Sequence, residues 1–319
     1  MLVDNSNRKV DYLRISVTDR CNLRCIYCTP ENGITYRPHE EILTFEEIAR
    51  VARILVSLGI NKIRLTGGEV LVRKDIVNLI KYLTNIEGIE EVSLTTNGAL
   101  LHPYAEQLKK AGLKRINISL DTLKEDRFKK ITGGGCIHRV FDGIGRAKEL
   151  NFHPLKLNMV VMKGINDDEI VDFIDFAFSK GIILRFIEFM KVTPLWREDY
   201  FIPIEEVMKI CERRFPIEIM GSPGPGPAVY YKTKEGGLLG FIKTDEKTCR
   251  ICTRLRLTST GELKSCLYET NGFLLREFLR NGFSDEKIRS VVERRMRMKQ
   301  DVGYKSYRSP EAYMCSIGG

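Results

Sequence analysis

From Tyr12 to Glu188 the chain alternates short β-branched and apolar runs with longer segments whose apolar residues recur every three or four positions. Six runs read as strands: YLRISV from Tyr12, KIRLT from Lys62, EVSLTT from Glu91, RINISL from Arg115, KLNMVV from Lys156 and ILRFIE from Ile183. Between the first two, TFEEIARVARILVSLG sets Ile48, Val51, Ala52, Leu55 and Leu58 on one helical stripe, and Thr44 with Glu47 has capping-box spacing. Ile76, Leu79, Ile80 and Leu83 repeat the stripe, as do Ile170, Phe173, Ile174 and Ala177, in a helix expected to start at Asp167 or Asp168 and to close at Gly181. Strand and helix alternating in this way predict a parallel sheet with right-handed crossovers. Six units suit an α/β fold of the open kind, a partial (βα)6 barrel.

The rhythm breaks near Pro216. GSPGPGP, Gly221 to Pro227, reads as a loop, because its prolines lack amide donors and its glycines are entropically costly to order. Beyond it come the strand-like runs AVYYK, GLLGFI, RLRLTS and ELKSCL, the last two joined hairpin-fashion through Thr260-Gly261, and then helical LLREFLR and EKIRSVVERRM. The expectation is an α+β portion over residues 201–319 following a barrel over residues 1–200.

Composition narrows the function. The 319 residues carry 51 Lys and Arg against 42 Asp and Glu, a net +9 that favours anionic partners without choosing among them. The first residues are polar, and no run of about 18 apolar residues occurs, so a soluble cytoplasmic protein away from membranes is expected. In a reducing compartment, grouped cysteines point to metal or catalytic chemistry more than to disulfides. The basic stretch from Arg289 has the helical spacing of a solvated amphipathic face, so it makes no case for nucleic acid.

Nine cysteines fall into two triplets and three singles. Cys21, Cys25 and Cys28 follow the first strand as Cys-x3-Cys-x2-Cys, at the end of the sheet where such folds place function. A structural zinc site wants four nitrogen or sulfur ligands, and His39 is the nearest candidate for a fourth. Three thiolates also fit a four-iron cluster that leaves one iron open to a small molecule. Cys249, Cys252 and Cys266 supply a second triplet, for which a zinc knuckle or a redox pair is the alternative. Cys136, Cys211 and Cys315 are scattered and receive no role, and the four histidines follow no ligand spacing.

With aromatic Tyr27 before the third cysteine, the first triplet resembles the signature of the radical S-adenosylmethionine (SAM) superfamily. Thr66-Gly67-Gly68-Glu69 after the second strand resembles that superfamily's GGE motif, with Val70 where proline is usual. There the glycines would admit a ligand closely, and the carboxylate could accept from an ammonium group. The second triplet, Arg254 and Arg256 after its CxxC, TTNG at Thr95 to Gly98, RFIEFM ending at Met190 and the final Gly318-Gly319 together resemble the GTP 3′,8-cyclase family of molybdenum cofactor biosynthesis over nearly the whole chain.

The resemblance implies a partial TIM-type barrel whose C-terminal portion closes the open side, two [4Fe-4S] clusters on the two triplets, and SAM contacted by Tyr27, Gly68, Ser119 and Met190. It places GTP against Arg14, Arg64, Thr95, Lys156, Arg254 and Arg256. No Gly-Lys-Ser/Thr occurs, so a triphosphate must be held by such side chains. The implied reaction abstracts hydrogen from ribose C3′, closes a bond to guanine C8, and ends in reduction and protonation. Arg254 and Arg256 are the catalytic candidates, for charge stabilisation or the late proton. The Gly-Gly end would enter the cavity. Implied partners are a ferredoxin or flavodoxin as electron donor, a downstream cyclic pyranopterin monophosphate synthase, and a second copy in a homodimer. The rivals are a peptide-modifying radical SAM enzyme and a non-catalytic, metal-stabilised nucleic-acid binder.

Overall fold

The computed structural model describes residues 1–222, 226–299 and 313–317. Strands form at all six expected runs: β1 (Tyr12–Ser16), β2 (Lys62–Thr66), β3 (Glu91–Thr96), β4 (Arg115–Ser119), β5 (Leu155–Val161) and β6 (Ile183–Glu188). They lie side by side in chain order, each parallel to the next. Helix Phe45–Ser57 starts at the predicted capping box: Thr44 Oγ1 accepts from the Glu47 amide at 3.1 Å, and Glu47 Oε2 accepts from the Thr44 amide at 2.8 Å. A 3-10 turn at Asp167–Glu169 leads into helix Ile170–Ser179, and Gly181 takes the left-handed φ of +63° that ends it.

Alternation along the strands decides what the barrel contains. Leu13, Ile15, Ile63, Leu65, Leu94 and Ile116 are fully buried and join one core with Ile48, Leu55, Leu79 and Leu83 from the helices. Each contributes about 1.5–3 kcal/mol by leaving water. The opposite face carries Arg14, Arg64, Ser93, Asn117, Asn158 and Arg185, all within the protein. A closed barrel of this type fills its interior with branched apolar side chains. Here the interior is polar and cationic, which makes it a site.

The later strands extend this same sheet at both edges. β7 (Ile217–Gly221), β8 (Val229–Thr233) and β9 (Leu238–Ile242) form an antiparallel meander whose last member runs parallel to β6. β10 (Arg254–Leu257) runs parallel to β1, with β11 (Glu262–Lys264) and β12 (Phe273–Leu274) outside it. The order is β12-β11-β10-β1-β2-β3-β4-β5-β6-β9-β8-β7. Residues 243–253 therefore connect the two arms across the open side of the barrel. Gly261 at φ +81° turns the expected hairpin between β10 and β11. Helices Leu275–Arg280 and Asp285–Met296 dock on the first helix, where Arg280 pairs with Glu47 at 2.7 Å and Arg50 with Asp285 at 2.8 Å. Part of the proline-glycine loop, residues 223–225, and the terminal Gly318-Gly319 lie outside the described residues.

Candidate active site

One cavity of about 320 Å³ runs through the barrel. It is lined by both cysteine triplets, by Tyr27, Gly68, Thr95, Ser119 and Met190, and by Arg14, Arg64, Arg254 and Arg256. The first triplet sits on the loop leaving the C-terminal end of β1. Two backbone bonds tie that loop to helix Glu125–Thr132: Arg24 N to Thr132 O at 2.7 Å and Ile26 N to Ile131 O at 2.9 Å. The second triplet flanks the opposite end, because Cys252 precedes β10, which is parallel to β1, and Cys266 follows antiparallel β11.

The arginines lie between the triplets, in register. Arg256 pairs with Arg14 across β10 and β1, and Arg14 pairs with Arg64 across β1 and β2. Like charges on directly opposed strand positions repel. Burial depresses the Arg14 guanidinium, with Arg256 and Arg64 adding to it, and Arg256 falls to about 10 through burial and then Arg254. Arg254 behaves differently: burial works against its charge, but Cys252 more than compensates, with Arg254 Nε 3.3 Å from Cys252 Sγ, so its affinity for the proton rises. Arg64 lies over the Tyr12 ring at 5.4 Å. A chain that stacks buried cations this way is built for a polyanion.

Lys156, expected to hold GTP, lies against Tyr230. It is not among the cavity-lining residues; its Nζ donates to the Tyr230 hydroxyl at 2.7 Å and lies 4.7 Å from that ring. Arg185 was not foreseen. It reaches the cavity from β6 at 4 % exposure, with Nε donating to Asn158 Oδ1 at 2.8 Å and Nη2 to Asn117 Oδ1 at 2.7 Å. The signal was present, since an arginine inside the apolar run ILRFIE must be buried with polar company or line a site.

Glu69 and Gly68 each take a structural part beside the one their motif suggests. Glu69 is 1 % exposed, and its carboxylate accepts from the Leu71 amide at 2.9 Å, Thr96 Oγ1 at 2.7 Å and the Asn97 amide at 2.7 Å. Three of its acceptor sites brace the ends of β2 and β3. Asn97 passes the brace on to the cysteine loop, donating to Asn22 Oδ1 at 2.8 Å. A Cβ on Gly68 would lie 2.3 Å from the Arg20 carbonyl oxygen, so glycine is needed there for the loop's close approach as well as any ligand's. Tyr27 is held from the far side, its hydroxyl donating to Asp121 Oδ2 at 2.5 Å while Asp121 Oδ1 accepts from the Val160 amide at 2.8 Å. Met190 accepts from Thr244 Oγ1 at 3.0 Å.

The donor set fits iron–sulfur chemistry. Each triplet is all thiol, the donor type that iron–sulfur clusters take, and each thiolate of a cluster binds its own iron. Burial pushes the Cys21 thiol up to about 11 and Cys25 higher, and Cys28 rises through its contact with Cys315 and then through burial. Such thiols give up their protons when a metal takes their place. Cys315, scattered in the sequence, is buried here with Sγ 3.9 Å from the Cys28 carbonyl oxygen, and neighbouring Met314 lines the cavity. Cys136 is exposed, and Cys211 is buried in a helix.

Residues 15–177 match the Radical SAM superfamily and residues 182–304 match Molybdenum Cofactor Synthesis C. The GTP 3′,8-cyclase of Thermodesulfovibrio yellowstonii is 46 % identical over 324 residues, covering 99 % of each chain. That of Listeria monocytogenes is 46 % identical, over 88 % of this chain and 86 % of its own. Among solved structures, Streptococcus suis SuiB bound to its precursor peptide SuiA superposes with a TM-score of 0.59 at 17 % identity, over 95 % of this chain and 65 % of that one, a likeness of fold. Among the described residues no helix is long and apolar enough to cross a membrane. With a partial barrel, a thiol triplet at its mouth and near-full-length identity of this order, the chain belongs to the GTP 3′,8-cyclase family of radical SAM enzymes.

Proposed function

We propose that this single cavity performs the family's reaction, cyclisation of GTP to 3′,8-cyclo-7,8-dihydro-GTP, with the triphosphate held by the arginine row and SAM held at the mouth. The observation that carries this reading is the register Arg256–Arg14–Arg64 lying between two thiol triplets. In it, Cys21, Cys25 and Cys28 would hold the cluster that accepts SAM, and Cys249, Cys252 and Cys266 would hold a second cluster that serves the guanine end of the substrate. When bound, the first cluster supplies the electron that cleaves SAM to a 5′-deoxyadenosyl radical.

The chain's own residues do the rest. Tyr27, fixed by Asp121, together with Gly68, Ser119 and Met190, lines the mouth where SAM lies. Arg14 and Arg64 present planar donor forks from adjacent strands to phosphate oxygens, Thr95 offers a hydroxyl beside them, and Lys156 acts once substrate draws it from Tyr230. Arg254 and Arg256 stand next to the second triplet, where they neutralise charge and are placed to deliver the late proton. The apolar helix layer keeps water out, so the substrate radical meets only the intended atoms.

Residues 1–200 serve as the SAM-binding portion and residues 201–319 as the portion carrying the second cluster and the Gly-Gly end. Two family matches in succession and Met314 in the cavity wall support a two-part chain, although the matches meet between residues 177 and 182 rather than at 200. The reaction needs a one-electron donor of the ferredoxin or flavodoxin class, and its product passes to the cyclic pyranopterin monophosphate synthase. A cytoplasmic setting and a homodimer complete the reading.

Anaerobic incubation of the reconstituted protein with SAM, dithionite and GTP, followed by mass analysis, should yield 5′-deoxyadenosine and a cyclised nucleotide in matching amounts. SAM cleavage that is no faster with GTP than without it overturns the reading.

A further inference from the structure

The segment carrying Cys249 and Cys252 has only the five-residue helix Glu246–Arg250 to order it, yet it is clasped from both ends of the chain. Arg8 Nη1 donates to the Cys249 carbonyl at 2.7 Å while its Nε pairs with Asp4 at 2.6 Å. Lys299, 2 % exposed, donates from Nζ to the carbonyls of Cys252 at 3.1 Å and of Arg254 at 2.8 Å, and lies 4.0 Å from Cys252 Sγ. It lines the same cavity as Arg254 and Arg256.

A lysine this deeply buried is rare unless it is paired. Two of its three donors are satisfied by neutral carbonyls, which cannot balance its charge. The nearest contact able to carry a negative charge is the Cys252 sulfur, once it is a thiolate. Arg8 is paired with the Asp4 carboxylate, whereas Lys299 sets its ammonium beside a ligand atom, where Cys252 and then Asp4 favour its charge.

We propose that Lys299 is a positioning residue of the second metal centre, fixing the Cys252–Arg254 turn and setting, by its charge beside the Cys252 sulfur, the reduction potential of the cluster held there. This rests on the reading that Cys249, Cys252 and Cys266 carry an iron–sulfur cluster. A cation and N–H donors next to a ligating sulfur stabilise the reduced, more negative state and raise the potential. Neither motif matching nor cysteine spacing points to Lys299, because it is separated from Cys252 by a hairpin and two helices.

The test uses full-length, anaerobically reconstituted protein and its Lys299→Gln and Lys299→Arg variants. Iron is counted, and both clusters are titrated electrochemically with detection by electron paramagnetic resonance, a Cys266→Ala variant serving to assign the second signal. In the Gln variant the second cluster should become harder to reduce by about tenfold in equilibrium constant, about 59 mV for a one-electron couple. The first cluster should not move, and the Arg variant should restore the second. Full iron with an unchanged second potential overturns the proposal. Iron lost from the Gln variant and kept by the Arg variant supports the fixing role, whereas equal loss from both shows that the cation is not what matters and overturns it. A parent protein holding only about four irons would instead refute the second cluster itself.

Discussion

Replacing Arg256 by Met should make the ligand-free protein more stable and its grip on GTP weaker. Arg256 is 5 % exposed, sits opposite Arg14 in the sheet, and has its proton affinity lowered well below the usual arginine range, to about 10, by burial first and then by Arg254. Since one pKa unit corresponds to about 1.36 kcal/mol, holding this guanidinium charged in the fold costs about 3 kcal/mol. The sign follows directly. A cation whose folded-state pKa is depressed destabilises the fold at every pH below that pKa, so at pH 7 the cost is fully present. A neutral side chain of similar length removes it and gives back part through lost contacts, for a net gain of about 1–3 kcal/mol. In a chain of this size that is about 2–6 °C in Tm. The melt is best taken on the cluster-free full-length chain, where thiols face the guanidinium as they do in this structure. GTP affinity, measured on the reconstituted enzyme by calorimetry, should fall about 10- to 150-fold, the worth of one charge-assisted hydrogen bond of about 1.5–3 kcal/mol. A variant that melts lower than the parent without GTP, or that binds GTP as tightly as the parent, refutes the argument that burying the Arg256 charge costs stability and serves GTP binding.

Gly68→Ala should displace the loop that carries the first triplet, because its Cβ meets Arg20 carbonyl oxygen at 2.3 Å and carbon at 2.6 Å; loss of SAM cleavage together with iron from the first cluster is the expected result, and full iron content contradicts it. Glu69→Gln exchanges an acceptor-only group for one that must aim an NH2 at existing donors, so about 1–3 kcal/mol of stability should go, visible in urea unfolding. If Glu69 instead served only to hold SAM, that unfolding curve would not move. Tyr27→Phe strands the Asp121 carboxylate without its 2.5 Å donor and should cost about 1–3 kcal/mol, which Asp121→Asn in the same chain should partly recover. An additive double variant would show that the pair is not coupled.

The six barrel strands, their helices, the capping box at Thr44 and the stop at Gly181 were legible because each is a local event, decided by a side-chain period or by one residue's backbone preference. That Cys21, Cys25 and Cys28 gather was legible for a related reason, since all three lie on one short loop after β1, whereas Cys266 joins Cys249 and Cys252 only through the β10–β11 hairpin. What the sequence could not determine is anything that depends on which distant strand lies next to which. β9 and β10 read as members of a separate portion, and the structure sets them on opposite edges of the barrel sheet, where they close it. The alignment of Arg256, Arg14 and Arg64 exists only once β10, β1 and β2 adopt one register, for in the chain they are three ordinary alternating positions. Glu69 became a brace, Lys156 turned to Tyr230, and Cys315 and Lys299 came to lie against cysteine-bearing loops far from them in sequence. Register and strand order are fixed by packing of the whole apolar layer, which no local window contains, and the cationic lumen is what that packing leaves inside.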